Sequence, residues 1–342
     1  MKENGFTLGK RVFIISSASV VGQKEKSGPL GGLFDIGGDD KFGKDTWEKS
    51  EAEMQRIALS IALNKSGFKD CDIDALFAGD LINQCISSSF GLISYKIPFL
   101  GLFGACSTSA EGMVMAAIYA SSVCVRCASV TSSHFCSAER QFRYPLEYGG
   151  QRPPTAQWTV TGSGAFVYSS DVADAKKSKS KYVPEIVSVM PGCLTDWGVT
   201  DANNMGAAMA PAAADTIERY MKNHSPDEFD LIVTGDLGKE GSAILLDLLK
   251  TKKIDISKNH TDCGMMIYSS DKSDTHAGAS GCGCSAVVMA ANILENIRNG
   301  KLKNILFMAT GALMNSLSIN QGQSIPGIAH LVHLKAAECA SL

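Results

Sequence analysis

The stretch DALFAGDL at residues 74–81 recurs in the second half of the chain as DLIVTGDL at residues 230–237. Each copy is a short apolar run that ends on Gly-Asp-Leu, which is typical of a buried strand followed by a tight turn. A second pair of segments follows in the same order, GACS at residues 104–107 and GASG at residues 278–281. Each of these precedes a helix rich in small residues. The repeats therefore predict that one α/β unit occurs twice along the chain.

A third pair of matching segments, Thr161–Gly162 and Thr310–Gly311, follows the first two pairs. We therefore predict two similar halves, an N-terminal half of residues 1–175 and a C-terminal half of residues 176–342. The basic run Lys176–Lys181 stands at their boundary and is typical of a solvated connection. Contact of this run with anionic lipid is the alternative interpretation.

Apolar runs with the character of strands alternate with segments that have the period of a helix. Val12–Ser16 and Ala75–Ala78 are predicted strands, and Trp47–Lys65 and Gly112–Ser121 are predicted helices. This alternation favours an α/β fold with a largely parallel sheet.

The amino-acid composition argues against several classes of protein. Of the 342 residues, 45% are hydrophobic and 20% are charged, so the chain buries a large core and a disordered chain is excluded. The net charge of −3 disfavours nucleic-acid binding, because no basic excess attracts phosphates. No apolar run approaches the roughly 20 residues that a membrane span needs. The run Val12–Val21 resembles a short signal peptide, but a first strand is the favoured interpretation.

The eleven cysteines are spread irregularly along the chain. An odd number in a large chain is typical of free thiols in a reducing compartment. The pairs Cys124/Cys127 and Cys282/Cys284 lie in segments rich in small residues without a neighbouring histidine. We therefore predict no metal site, and no cofactor is expected.

Cys106 is the candidate nucleophile. It lies between an apolar run and a helical run, so a strand-to-helix turn is predicted to place its thiol at the N-terminus of the helix. There the helix dipole and the free backbone N–H groups are expected to favour the thiolate and to hold an oxyanion. The alternative is that Cys106 is one of several buried structural thiols.

His276 is the candidate partner of this thiol. It precedes the segment 277–281, whose small residues permit the close approach of a ligand. A thiolate–imidazole pair is the minimum for nucleophilic acyl transfer. A purely structural histidine is the alternative.

The duplicated halves, the Gly-Ala-Cys before a helix and the segment around His276 resemble the superfamily of thiolases and ketoacyl-acyl-carrier-protein synthases. The resemblance implies two halves, each with a five-stranded mixed sheet, stacked as five layers in the order αβαβα. It also implies that Cys106 stands at the position of the nucleophile. His276 lies in the segment that matches the thiolase histidine loop, with Thr275 and Ala277 in place of a Gly and a Pro.

Two positions depart from this superfamily. Asp236 stands where condensing synthases carry a second catalytic histidine, and Ala309–Ala312 stands where thiolases carry a second cysteine. A carboxylate repels the negative charge that develops on an enolate unless it is protonated. The catalytic set that the resemblance implies, Cys106, His276 and Asp236, is therefore incomplete for a Claisen condensation.

A longer block gives a narrower resemblance. Residues 131–162, TSSHFCSAERQFRYPLEYGGQRPPTAQWTVTG, resemble the signature block of the stage V sporulation protein AD family. The segments GPLG at 28–31, WEK at 47–49 and GDLG at 235–238 fit the same family, so the resemblance covers essentially the whole chain. It implies a part in the machinery that moves dipicolinic acid into the developing spore, binding of that ligand, and no condensing activity.

The block contains residue types that suit this ligand. Dipicolinic acid is a flat aromatic ring with two carboxylates, which need cationic or N–H donors at both ends and a flat apolar surface. Arginine is suited because its fork binds a carboxylate through two hydrogen bonds. The alternative is that some of these arginines only pair with Glu139 and Glu147. The candidate ligand-binding residues are Arg140, Arg143, Arg152, Trp158 and His134, with Tyr144 and Tyr148 as further aromatic groups.

The leading hypothesis is a non-condensing, thiolase-fold protein that binds dipicolinic acid, alone or as its calcium chelate. The resemblance implies uptake into the spore together with other stage V sporulation membrane proteins. It implies a cytoplasmic-type soluble protein that is peripherally associated with the spore inner membrane. It also implies a homodimer, in which the strand near Ala128–Ser132 pairs across a twofold axis. An acyl-transfer enzyme that uses Cys106 and His276 is the alternative, and a scaffold protein with a vestigial pocket is the third hypothesis.

Overall fold

The computed structural model describes residues 5–143, 151–269 and 274–342, in which a large mixed sheet is covered by helices. The strands are β1 (Phe6–Val21), β2 (Ile36–Gly37), β3 (Ala75–Gly79), β4 (Phe99–Leu102), β5 (Arg126–Ser133), β6 (Trp158–Thr159), β7 (Gly162–Ser169), β8 (Tyr182–Met190), β9 (Leu231–Thr234), β10 (His260–Asp262), β11 (Ala279–Ser280), β12 (Asn304–Ala312) and β13 (Gly327–Glu338). The helices are α1 (Gln23–Lys26), α2 (Trp47–Ser66), α3 (Ile86–Leu92), α4 (Thr108–Ser122), α5 (Phe135–Arg143), α6 (Val172–Lys176), α7 (Met205–Met221), α8 (Gly238–Thr251), α9 (Cys263–Met266), α10 (Cys282–Val288), α11 (Leu294–Arg298) and α12 (Ser316–Asn320).

Ten of the eleven described strands of the sheet form two sets of five with the same topology, and the short β2 pairs with β1. The strands follow one another in the order β10-β9-β12-β13-β8-β1-β7-β5-β3-β4. The strands of each set can be numbered from first to fifth along the chain. Across the sheet, starting from the strand that joins the other set, both sets then have the order first, fifth, fourth, second, third. The two first strands, β1 and β8, pair antiparallel and join the sets. The duplicated α/β fold predicted from the repeats is therefore confirmed, while the boundary between residues 175 and 176 stays a prediction.

The predicted largely parallel sheet is wrong, because each set is mixed. β3 is parallel to β4 and β5, but β7 is antiparallel to both β1 and β5. In the other set, β13 is likewise antiparallel to β8 and β12. The chain reaches β7 from β5 through α5 and β6 rather than through a simple helical crossover. The alternation of strands and helices does not encode the direction of a strand that follows such a connection.

The helices complete five layers. α2 packs on the outer face of the first set of strands, and α7 packs on the outer face of the second. Between the two sets lie α4 and α10, and α4 contacts β1 and β3 of the first set as well as β12 and β13 of the second. A helix that packs on both sides must be apolar all round. The buried small residues that permit this packing on α4 are Ala110, Gly112, Ala116, Ala117 and Ala120.

The predicted elements lie where the sequence placed them. Val12–Ser16 falls inside β1, and the predicted helix over 47–65 is α2, which Thr46 caps by accepting a hydrogen bond from the Lys49 amide. Gly67 ends this helix at a φ of 76°, which favours glycine. Within the described ranges, no helix has the length and apolar character needed to cross a membrane.

The strand that was predicted to pair across a twofold axis is an interior strand. Residues 128–132 lie in β5, whose two edges are occupied by β3 and β7. It therefore has no edge left for a second copy. The outer edge of the first set is β4, because the described residues place only β3 beside it.

Candidate functional site

Cys106 lies in the turn between β4 and α4, as predicted, and only 5% of its surface is exposed. The turn is tight, since Ala105 has a φ of 51° and the Ser107 hydroxyl donates to the Gly104 carbonyl at 2.6 Å. Gly311 at the end of β12 packs against this turn, where a Cβ atom would lie 2.2 Å from the Gly104 carbonyl oxygen. The repeat segment 104–107 and the Thr-Gly of the second half therefore meet at the site.

The expectation that this turn favours a thiolate is wrong. Burial raises the pKa of the Cys106 thiol above its ordinary value, and the nearby Asp236 carboxyl raises it further. The Gly281 backbone N–H and the Arg143 guanidinium act in the opposite direction but do not reverse the shift. Removal from water outweighs the helix N-terminus, so the thiol stays protonated at neutral pH.

Asp236 is fully buried beside this thiol. Neither of its carboxyl oxygens has a hydrogen-bond partner in the described part of the chain. Burial raises the pKa of Asp236 well above its usual range, and the neighbouring Asp262 raises it further. Burial therefore disfavours the charged form of this carboxyl group.

Asp262 is the structural residue that the sequence analysis missed. Its buried carboxylate accepts hydrogen bonds from the Thr234 hydroxyl at 2.6 Å and the Leu237 amide at 3.0 Å. Its other oxygen accepts from the amides of Gly238 and Gly264, both at 2.9 Å. Four donors thus fasten the turn after β9 to the start of α9. The available signal was weak, since an Asp before Cys-Gly is an ordinary helix N-cap.

His276 lies away from the thiol. Its Nε2 is 2.6 Å from Asp274 Oδ1, and its side chain is one-third exposed, at 33%. The residue adopts a φ of 41°, after which the chain continues into β11, parallel to β6. As a result Ser280 lines the cavity at Cys106, whereas His276 is not among the described residues that do so. The predicted thiol–imidazole pair is not assembled in this structure.

The cavity at Cys106 is small. Its volume of about 30 Å³ has room for about two water molecules. Phe142, Met205 and Met314 contribute much of its apolar wall, and Arg143 is its charged residue among the described ones. A two-carboxylate aromatic ring does not fit in this space as it stands.

The three candidate arginines of the block at residues 131–162 do not share one partner: Arg143 and Arg152 lie at Glu139, and Arg140 does not. Arg143 donates to Glu139 at 2.7 Å, and Arg152 Nη1 lies 3.5 Å from the same carboxylate oxygen. Arg140 instead pairs with Glu48 and is more than half exposed. Arg143 and Arg152 therefore both lie at Glu139, the carboxylate named in the alternative interpretation, and Arg152 also donates to the Gln157 carbonyl. Tyr144, Glu147 and Tyr148 lie outside the described residues.

Arg152 and Trp158 belong to a cationic, aromatic cluster. Trp158 stacks on Phe135 with 3.8 Å between ring centroids, and Arg152 lies 5.2 Å from the Trp158 centroid. Lys24 Nζ lies 3.6 Å from that centroid. The Nε of Arg152 is buried without a hydrogen-bond partner in the described part of the chain. We call Lys24, Phe135, Arg152 and Trp158 the Trp158 cluster; the sequence analysis missed Lys24 and Phe135.

His134 is a structural residue here. It is fully buried, its Nε2 lies 2.8 Å from the Asp40 carbonyl, and its Nδ1 accepts from the Cys136 amide at 3.1 Å. Burial lowers the pKa of His134, so the neutral ring with a proton on Nε2 fits both bonds. The structure does not bring His134 or Arg140 to the Trp158 cluster.

Metal-ligating side chains do not gather anywhere in the described ranges, where no three His, Cys, Asp or Glu residues form a group suited to a metal ion. The Cys124 and Cys127 sulfurs approach to 3.2 Å, but this pair has no third ligand in that part of the chain.

The fold, with a buried cysteine at its strand-to-helix turn, is thiolase-like. The 3-oxoacyl-[acyl-carrier-protein] synthase III of Aquifex aeolicus VF5 superposes with a TM-score of 0.56 at 12% identity, over 95% of this chain and 99% of that one. Human mitochondrial 3-ketoacyl-CoA thiolase superposes with a TM-score of 0.59 at 12% identity, over 98% and 100% of the two chains. At such identities these similarities show the fold alone.

The family is shown by sequence. The family model of Stage V sporulation protein AD matches residues 2–335. Stage V sporulation protein AD of Bacillus subtilis (strain 168) is 45% identical over 334 residues, which cover 96% of each chain. The chain belongs to the stage V sporulation protein AD family, as the block at residues 131–162 indicated.

Proposed function

We propose that this sporulation protein binds dipicolinic acid and takes part in its uptake into the developing spore, without condensing activity. The family membership supports a role in sporulation, and the resemblance noted in the sequence supplies the ligand. The observation that carries the proposal is the Trp158 cluster. It combines a flat aromatic surface with two cations that lie close to one ring.

The charges around this cluster suit a dianion. Lys24, Arg143 and Arg152 are three cations, and Arg143 and Arg152 share the single carboxylate of Glu139. Burial lowers the pKa of Lys24, because the ammonium is partly removed from water; Glu25 and Asp274 act in the opposite direction, and Arg152 adds to the lowering. An anion bound at the cluster stabilises the charged form of Lys24. Asp274, which also acts on Lys24, is paired with His276. Two of these cations, Lys24 and Arg152, lie at one aromatic ring and offer one cationic group for each carboxylate of dipicolinate.

Acyl transfer is the alternative function, and the site supports it less well. The thiol of Cys106 has a raised pKa, and His276 points to Asp274 rather than into the cavity. The retained position of Cys106 in the thiolase-like turn is the observation that favours it. Formation of an acyl adduct on Cys106 from acyl-CoA thioesters, detected by intact mass, would support the alternative.

Replacement of Arg152 with glutamine is expected to weaken dipicolinate binding at least about tenfold, which corresponds to about 1.4 kcal/mol. The reason is that the variant loses the charged guanidinium fork, while the shorter glutamine keeps only a neutral polar group. Calorimetric titration of the full chain with dipicolinate measures the loss. Arg140→Gln is the matched control, since Arg140 lies in the same block but pairs with Glu48. Equal affinities of Arg152→Gln and the unchanged protein would count against the Trp158 cluster.

The chain also acts, in this proposal, as a homodimer at the spore inner membrane together with other stage V sporulation membrane proteins. The dimer forms through β4, which with β10 is one of the two outer strands of the sheet in the described part of the chain. Phe99 and Phe103 at this edge are 41% and 45% exposed, and Phe90 and Ile93 near α3 are 71% and 75% exposed. An apolar edge strand is an aggregation liability unless a partner covers it, and a second β4 running antiparallel satisfies both its backbone and its side chains.

Replacement of Phe99 and Phe103 with glutamate is therefore expected to convert the dimer into the 36.3 kDa chain. Sedimentation velocity at micromolar concentration measures the mass. Leu317→Glu is the control, because Leu317 is 70% exposed on α12 of the other half. A 36.3 kDa species from the unchanged protein at these concentrations would refute the dimer.

A further inference from the structure

A polar groove of about 500 Å³ lies where four segments of the chain meet. These are β1 near its register irregularity at Ile15, the end of α2 at Lys65–Ser66, the segment 177–180 after α6, and α11. Its side chains carry four positive and two negative charges. The charged residues are Lys65, Lys177, Lys179, Arg298, Asp174 and Glu295.

Arg298 is the buried cation of this groove, with a side chain that is only 10% exposed. Its Nη1 donates to the Ser17 hydroxyl at 3.1 Å and lies 2.5 Å from Glu295 Oε1. Its Nη2 is buried and has no hydrogen-bond partner in the described ranges. A buried guanidinium with an unused donor is unfavourable, and an anion in the groove satisfies it. This unused donor is the observation that points to a ligand.

The two carboxylates of the groove, Asp174 and Glu295, already pair with cationic side chains. Asp174 holds Lys177 at 3.1 Å, but it also accepts from Arg126 Nε at 2.8 Å. Lys65 is bound to Asp35 at 2.6 Å, which lies outside the groove lining. Lys179 is exposed and forms no ion pair with the described residues. The groove therefore keeps an excess of positive charge that its own acidic residues do not neutralise.

We propose that this groove binds a phosphate-bearing anion, with Arg298 as the anchoring donor and Lys177 and Lys179 as the exposed cations. A phosphate group accepts hydrogen bonds from a guanidinium fork and from point-charge ammonium groups at once. The described lining contains no aromatic ring, which disfavours a flat aromatic dicarboxylate. The basic run Lys176–Lys181, a solvated connection by its sequence, supplies the cations at the rim. The phosphate belongs either to a soluble compound or to a lipid headgroup.

Calorimetric titration of the full chain with pyrophosphate is the test for a soluble source. Saturable binding is expected, with at least a tenfold loss of affinity in Arg298→Gln. Arg56→Gln is the matched control, because Arg56 also pairs with a glutamate three residues earlier, at 2.6 Å, but lies on α2 outside the groove. The double variant Lys177→Gln/Lys179→Gln changes exposed residues, so it keeps the fold and is expected to bind at least fivefold more weakly.

Co-sedimentation with vesicles of phosphatidic acid and phosphatidylcholine, compared with phosphatidylcholine alone, is the test for a lipid source. Binding of either probe that is lost in Arg298→Gln and in the double lysine variant supports the groove and identifies the source. Absence of binding to both probes by the folded chain, or equal binding by these variants, overturns the proposal. Dipicolinate affinity is expected to be unchanged in all of these variants, which keeps this site separate from the Trp158 cluster.

Discussion

Replacement of Asp262 with alanine is expected to lower the free energy of unfolding by at least about 3 kcal/mol. The substitution removes the acceptor of three buried backbone N–H groups and of the Thr234 hydroxyl. Each buried donor left without a partner costs about 1–3 kcal/mol, so three amides alone account for the lower bound. A loss of this size is a large share of the roughly 5–15 kcal/mol that stabilises a typical protein.

Urea unfolding at pH 8 measures this loss. Burial raises the pKa of Asp262 to about 6, so the carboxylate is ionised at that pH and accepts all four bonds. Asp255→Ala is the control, since Asp255 is an Asp-to-amide cap of the same kind, on Ser257 at 2.9 Å, in an exposed turn. The control is expected to lose much less stability, as substitutions at exposed positions usually do. Similar losses in the two variants would contradict the role assigned to Asp262.

Cys106 is expected to react with iodoacetamide at least about 100-fold more slowly than the exposed thiols of the same chain. Only the thiolate is nucleophilic, and burial raises the pKa of Cys106 while it also limits access to the sulfur. Cys71 and Cys193 are exposed and serve as internal controls. Peptide mapping after timed alkylation at pH 8 measures each rate in one sample.

The pH dependence follows from the direction of this shift. Because the pKa of Cys106 is raised, Cys106 is expected to stay unmodified in the folded protein as the pH rises from 7 to 9. In urea, where the chain is unfolded, Cys106 is expected to react like the others. Preferential alkylation of Cys106 in the folded protein would contradict its protonated, buried state and favour the acyl-transfer alternative.

The fold could be predicted from the sequence because its two halves contain matching sequence segments in the same order. The segments 74–81 and 230–237 lie in β3 and β9, which occupy the same position in their two sets of strands. The Gly-Ala-Cys at 104–106 lies at the predicted turn for a local reason, since a tight turn before a helix is set by neighbouring residues. Strand direction was not predictable in this way, because β7 is oriented by packing between β1 and β5.

The site was predicted only in part, because side-chain direction depends on contacts between distant segments. Arg140 and Arg143 lie three positions apart on α5, yet one pairs with Glu48 and the other with Glu139. Lys24 reaches Trp158 across 134 positions of sequence, a contact that no local pattern encodes. Nearby backbone N–H groups lower the pKa of Cys106, but burial of the sulfur raises this pKa by more.

Binding of dipicolinate to the Trp158 cluster is tested by titrating the unchanged protein with dipicolinate and, for comparison, with picolinate. Picolinate keeps the ring and one carboxylate, so the comparison isolates the second charge that the paired cations of the Trp158 cluster are proposed to bind. We expect saturable calorimetric binding of one dipicolinate per chain, with picolinate binding at least tenfold more weakly. Absence of saturable binding by the folded protein at millimolar dipicolinate, or equal affinity for the two compounds, would contradict it.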